Sequence, residues 1–295
     1  MRWAPLLFAI LILGCIITVP DEEGRPCLHG DCLAGYACHE DVCIMPGTGV
    51  FAAPVCSEDM CRIPEGSFLR GSDPGVGRAD ERPRRAITLS AFWIDVSPVT
   101  VTQYAQCVDA GACLEPAATE HCNFAGGRED HPVNCVSFLD AKSYCDFAEK
   151  RLPTEAEWEK AARATDARAY PWGQEQPSCE LAVFNEEGEG WATSGGCGLA
   201  STWPAGAMPE GESPYGVLDM AGNVLEWVSD YYDPLYYERA PSRDPQGPAS
   251  GRERALRGGS WRTSDKGGLR AAHRYSFDPD GRVNYVGFRC AQSAD

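Results

Sequence analysis

AEKRLPTEAEWEKAAR, residues 148–163, carries the clearest local structural instruction in the chain. Thr154 stands three residues before Glu157. At that spacing the threonine hydroxyl accepts from the amide of Glu157, while the glutamate carboxylate reaches back to the amide of Thr154. Arg151-Leu152-Pro153 interrupts the chain just before, and Trp158, Ala161 and Ala162 supply the buried face of the helix that follows. Upstream, Ser137-Phe138-Leu139-Asp140 leads into a second helix. Its Ala141, Tyr144, Cys145 and Ala148 recur at i, i+3, i+4 and i+7 and share one face.

Further out, RRAITLSAFWIDVSPVT (84–100) alternates apolar and polar residues and predicts a strand. Thr102 is expected to cap a short helix that begins at Gln103-Tyr104 and runs towards Asp109. From 165 to 292 the chain is rich in Gly, Pro, Trp and Tyr, with few helical periods. The long connection 229–256 carries Tyr231, Tyr232, Tyr236 and Tyr237, which predicts an ordered loop lining a surface. The expected class is α+β with much of the chain in loops.

The chain has 295 residues, with 26 basic and 43 acidic side chains and a net charge of −17. A nucleic-acid partner is not expected, because binding phosphate requires a positive field. Divalent cations remain reasonable ligands for an acidic surface. Residues 1–19, MRWAPLLFAILILGCIITV, join one Arg to an apolar run too short for an ordinary membrane span, which needs roughly 20 apolar residues. Ile12-Leu13-Gly14-Cys15 resembles a bacterial lipobox, so residues 1–14 read as a lipoprotein signal and Cys15 as the lipidated residue. A plain signal peptide cut further on is the alternative. Either reading exports the chain, and the first anchors it to the cell envelope by lipid.

Of 15 cysteines, setting Cys15 aside leaves an even number. At that density an exported chain reads as disulfide-bonded. Residues 15–62 read as a small stapled module, and Cys27, Cys32, Cys38 and Cys43 lack the CxxC pairs of zinc sites. Six cysteines between 27 and 61 allow 15 pairings, among which sequence does not choose. His29 and His39 read as solvated loop residues. The larger domain runs from 63 to 292.

Within that domain FWID, VTVTQY, HPVNCVSF, AEKRLPTEAEWEKAAR, YPWG, YGVLDMAGNVLEW, RGGSW and VGFRC stand in one order. Together they resemble the sulfatase-modifying-factor family, whose founding activity is the formylglycine-generating enzyme. The resemblance implies a loop-rich C-type-lectin-like variant fold. It also implies two cysteines, at the third and eighth positions after the GGS serine, that hold copper(I) and engage a substrate cysteine. Here that serine is Ser260, and the two positions are Thr263 and Gly268. A threonine hydroxyl is a hard, weak ligand and glycine has no side chain, so copper is not expected.

The resemblance further implies a Cys145–Cys290 disulfide tying the C-terminal strand to a helix. Cys107 with Cys113, Cys122 with Cys135, and Cys179 with Cys197 are natural local pairs, which would leave no free thiol after Cys61. Asp219, Glu226 and the carbonyls of Gly222 and Val224 match a calcium site of the family, with Asp219 in place of an Asn. The alternative is that Gly222 and Asn223 merely shape a turn. An iron-binding branch of the family draws its ligands mainly from a helical-bundle domain that this chain lacks. His121, His131 and His273 are scattered and read as ordinary hydrogen-bonding residues.

The expected function is a non-catalytic head binding a peptide or glycan in a cleft lined by Ser260, Trp261, Arg262, Tyr231 and Trp227. One alternative is an enzyme with different chemistry, such as another oxidation or a hydrolysis, drawing on Thr263, Asp265, Lys266 and Arg270. Another is genuine formylglycine formation.

Overall fold

The computed structural model describes residues 54–57, 59–188 and 195–294, together with the backbone of 37–39 and 42–44. The signal segment 1–14, Cys15, the spacings from Cys27 to Cys43 and the side chains of His29 and His39 lie outside the described residues. Strands β1 (Ala37–His39) and β2 (Val42–Ile44) form an antiparallel pair.

The head opens with β3 (Met60–Ile63), three residues before the expected boundary. It joins a sheet with β6 (Phe92–Asp95) and β11 (Ala291–Ser293) in the order β11-β6-β3. Cys61 of β3 is fully buried and bonded to Cys56. The stretch predicted as one strand is two: β5 (Arg85–Leu89) pairs with β4 (Gly66–Arg70), and the chain then turns into β6.

Three helices follow, each closed at its start by reciprocal hydrogen bonds. α1 (Val101–Asp109) is capped by Thr100, whose hydroxyl accepts from Gln103 N at 3.2 Å while Thr100 N donates to Gln103 Oε1 at 2.9 Å. The cap is therefore Thr100 and not Thr102, whose hydroxyl instead donates to the carbonyl of Glu129. The glutamine three residues on decides between two similar threonines. α2 (Phe138–Phe147) is capped by Ser137 with Asp140, and α3 (Glu155–Arg163) by Thr154 with Glu157 as expected.

The second half of the chain builds a four-stranded sheet in the order β10-β7-β8-β9. It contains β7 (Leu225–Tyr231), β8 (Arg254–Arg257), β9 (Tyr275–Phe277) and β10 (Val286–Phe288), with β10 parallel to β7 and β9 at one edge. One core gathers Phe68, Ile87, Ile94, Trp158, Met220 and Val228; a second gathers Tyr104, Tyr144, Trp227 and Phe288 around Cys145–Cys290.

α3 is buried nearly all round, not on one stripe. Glu155 and Glu159 lie inside the protein, where Arg257 donates to both, Arg274 forks onto Glu155 and Arg163 pairs with Glu159. A charge removed from water needs such partners. Tyr236 and Tyr237 do not line a surface. Both are buried, and Tyr237 donates to Glu159 Oε2 beneath the Arg70 guanidinium. All four expected disulfides are present: Cys107–Cys113, Cys122–Cys135, Cys145–Cys290 and Cys179–Cys197. With Cys56–Cys61 they mark a protein that matures outside the reducing cytoplasm.

Candidate functional site

β8 ends at Arg257, and Gly258 and Gly259 turn the chain with φ of 96° and 75°. Any other residue is strained at Gly259, where the φ is left-handed and an added Cβ would lie 2.6 Å from Leu269 Cδ2. The turn leads into Ser260, whose amide donates to Thr263 Oγ1 at 3.0 Å, while Thr263 N returns to the Ser260 carbonyl at 2.9 Å. A short 3₁₀ turn, Lys266–Leu269, then opens with Asp265 accepting from Gly267 N.

Thr263 and Gly268 are neighbours: a Cβ on Gly268 would lie 3.0 Å from Thr263 Cγ2. The same Cβ would lie only 2.3 Å from Tyr275 Oη. That phenol, reaching across from β9, donates to the carbonyl of Gly268 at 3.2 Å. Burial pushes its pKa up to about 12, so it stays neutral and a donor. The two positions where the resemblance implied thiolates therefore do come together, but carry a methyl-bearing hydroxyl and no side chain, with the Tyr275 hydroxyl against Gly268. These residues do not fit copper(I), which favours soft sulfur donors.

Beside them lies an open cleft of about 360 Å³. Ser260, Arg262 and Thr263 line it with Leu225, Leu256, Tyr275, Phe277 and Tyr285. Arg262 lies over the Tyr285 ring at 4.8 Å and donates to Asn284 Oδ1. Three other expected lining residues are elsewhere. Trp261 is fully buried and donates to the Asn284 carbonyl. Trp227 is core, donating to the Val136 carbonyl and packing edge-on to Phe138. Tyr231, at the far end of β7, stacks under Arg254. The aromatic walls from β9 and Tyr285 escaped sequence reading, although the alternation Tyr275-Ser276-Phe277 was a usable signal.

The polar residues beyond Thr263 serve the fold. Arg270 forks onto Glu81 at 2.6 and 2.8 Å, Asp265 caps the 3₁₀ turn, and Lys266 points over the Phe184 ring. The histidines are dispersed: His131 bonds Thr202, His121 lies against Trp261, and His273 lies beside Glu81.

The residues expected to hold calcium share one turn, in which Asp219 and Asn223 adopt φ of 55° and 58°. Glu226, however, takes a forked pair from Arg289, with both oxygens at 2.7 Å, and a third donor from Trp158 Nε1. Asp219 Oδ2 accepts from Gly206 N and from the Asn223 amide. The Glu226 carboxylate is thus already paired with a guanidinium, and Asp219 Oδ2 is held by two neutral N–H donors, so the set as arranged does not fit a calcium ion.

An α+β head with little regular structure, stitched by disulfides and closed by a GGS loop against a small sheet, defines a C-type-lectin-like variant domain. Among solved structures, PvdO from Pseudomonas aeruginosa shares this fold with a TM-score of 0.65 and 27% identity, over 79% of this chain and 94% of that one. Residues 49–294 match the sulfatase-modifying factor enzyme 1-like domain, and the chain belongs to that family. It is 35% identical over 295 residues to the formylglycine-generating enzyme of Streptomyces coelicolor, covering 84% of this chain and 93% of the enzyme. It is 36% identical over 253 residues to the serine/threonine-protein kinase pkn1 of Chlamydia caviae, covering 79% of this chain. The match spans only 38% of that kinase's length.

Proposed function

We propose that the chain is the binding head of an exported protein held to the cell envelope by a lipid on Cys15, and that its cleft holds an extended peptide without altering it chemically. The observation that carries this reading is Tyr275. Its hydroxyl stands where a Cβ on Gly268 would begin, beside Thr263, and neither position offers a thiol for exchange or a soft ligand for copper(I). The cleft beside it stays open, with an apolar wall of Leu225, Leu256 and Phe277 and an arginine at Arg262.

β9 borders this cleft and is an edge strand. An extended peptide can add to such an edge through main-chain hydrogen bonds while its side chains enter the adjoining pocket. The reading as an enzyme of different chemistry has less support, since Asp265 and Arg270 are already engaged in capping and ion pairing.

Peptide and glycan arrays probed with the full chain provide the test, followed by mass spectrometry of each bound ligand after incubation with copper and reductant. A peptide that binds, returns unchanged and loses affinity about tenfold with Arg262→Ala supports the proposal. Binding confined to glycans would replace the ligand class, and an aldehyde on a cysteine peptide would overturn the non-catalytic reading. Metabolic labelling with a fatty acid should mark the wild type and not Cys15→Ser.

A further inference from the structure

A second cavity of about 480 Å³ shares no lining residue with the cleft. Its walls come from the start of α2, from the Arg151–Thr154 segment, and from β7 and β8 through Ser229 and Arg254. Leu139 stands at the cavity with 60% of its surface exposed, while Phe138 and Leu152 beside it are buried.

Three cations line this cavity, and two are neutralised locally. Lys142 pairs with Asp146 at 2.5 Å, and Arg151 forks onto Glu157 at 2.6 and 2.7 Å. Arg254 has no carboxylate partner among the described residues. Its guanidinium lies 4.0 Å from the Phe138 ring centroid and 3.5 Å from that of Tyr231, and Nη1 donates to the Ser229 carbonyl at 2.6 Å. Nε is buried with no hydrogen-bond partner. Burial pushes the guanidinium's pKa below its ordinary value, against the pull of Tyr231 and Asp230. Asp230 does not reach it by hydrogen bond, since its Oδ2 accepts from Glu155 N and Ser229 Oγ.

In a chain with 43 acidic and 26 basic side chains, carboxylates are abundant, yet none among the described residues pairs with Arg254. The two rings hold the guanidinium plane in place, which removes most of the ordering cost of binding an anion. A carboxylate is the group whose two oxygens match a guanidinium edge. The volume suits a small molecule and the neighbouring Leu139 and Phe138 suit an apolar body.

We propose that this cavity is a second ligand site, taking a small carboxylic acid with an apolar body whose carboxylate pairs with Arg254. It stands independently of the peptide cleft. Phenylacetate, titrated by calorimetry into the full chain, is the probe, with phenylacetamide as its uncharged counterpart.

Saturable binding of phenylacetate is expected, at least tenfold weaker for phenylacetamide and for Arg254→Gln. Arg262→Gln, in the other cleft, should leave the affinity unchanged. Leu139→Trp fills the cavity from an exposed position and should block binding while the fold is kept, which decides the matter if Arg254→Gln unfolds. Equal binding of acid and amide, undiminished binding by Leu139→Trp, or no saturable binding of phenylacetate would each overturn the proposal.

Discussion

Tyr275 Oη donates to the carbonyl oxygen of Gly268 at 3.2 Å, and so stands where a side chain on Gly268 would have to begin. Gly268 itself has no left-handed φ, so its backbone accepts a cysteine, and the severe collision is with Tyr275, the tight contact to the Thr263 methyl being removed by Thr263→Cys. Restoring both thiols by Thr263→Cys and Gly268→Cys should therefore not restore tight Cu(I) binding against a competing chelator. Adding Tyr275→Ala should open the space and allow it. Tight binding by the double variant would show that the phenol swings aside freely.

The Glu226–Arg289 pair should dominate the stability of the 219–226 turn. Both groups are fully buried and bonded through both carboxylate oxygens. Arg289→Met leaves the buried Glu226 without its cation, with only the Trp158 donor remaining, and the broken pair costs about 3–5 kcal/mol in urea denaturation. Because Glu226 is already paired with Arg289, a chelator should leave the melting temperature of the wild type where it is. A chelator-induced fall that calcium reverses would place a cation there after all.

The Cys145–Cys290 bridge closes the longest loop among the described disulfides, with a sequence separation of 145. The loss of chain entropy on closing such a loop predicts that Cys145→Ala with Cys290→Ala lowers stability by about 5 kcal/mol, more than removal of Cys107–Cys113. Chemical denaturation of the two double variants compares them directly. Equal losses would mean that residual structure in the unfolded chain, not loop length, controls the effect.

Glu81 gives the head an acid-sensitive joint. Burial alone would raise its pKa, but the neighbouring His273 and bonds from Arg270, the Arg78 amide and Ser72 outweigh it and hold the carboxylate at about 2. A depressed carboxylate stabilises the fold above its unfolded value, and that stability is lost as pH falls through about 2. The preference of the folded state for the ionised carboxylate is then worth about 3 kcal/mol at neutral pH. Glu81→Gln should therefore flatten stability between about pH 4.5 and pH 2, measured by urea titration at each pH. An unchanged acid limb would place the sensitivity in another carboxylate.

Much of this protein is determined within a few residues and can be read there. Thr154 and Glu157 satisfy each other's amides across one turn, and the same logic at Thr100–Gln103 and Ser137–Asp140 was equally local, even though Thr102 was the expected cap in place of Thr100. The density of cysteines, the order of the motifs and the absence of thiols at Thr263 and Gly268 also belong to the sequence alone. What only the tertiary structure decided are meetings between distant segments. Helical periodicity places Glu155 and Glu159 on the polar side of α3, yet Arg257 and Arg274, about a hundred residues later, draw both into the interior. Arg289 settles on Glu226 from another strand, and Tyr231 and Trp227 leave the cleft because β7 carries them past it. Tyr275 reaches Gly268 because β9 returns alongside β8, and no pattern in either segment encodes that approach. Local rules act over one turn of chain, where neighbours in sequence are neighbours in space. Burial, ion pairing and the filling of a cleft depend on which remote side chain the packed core brings within a few ångströms.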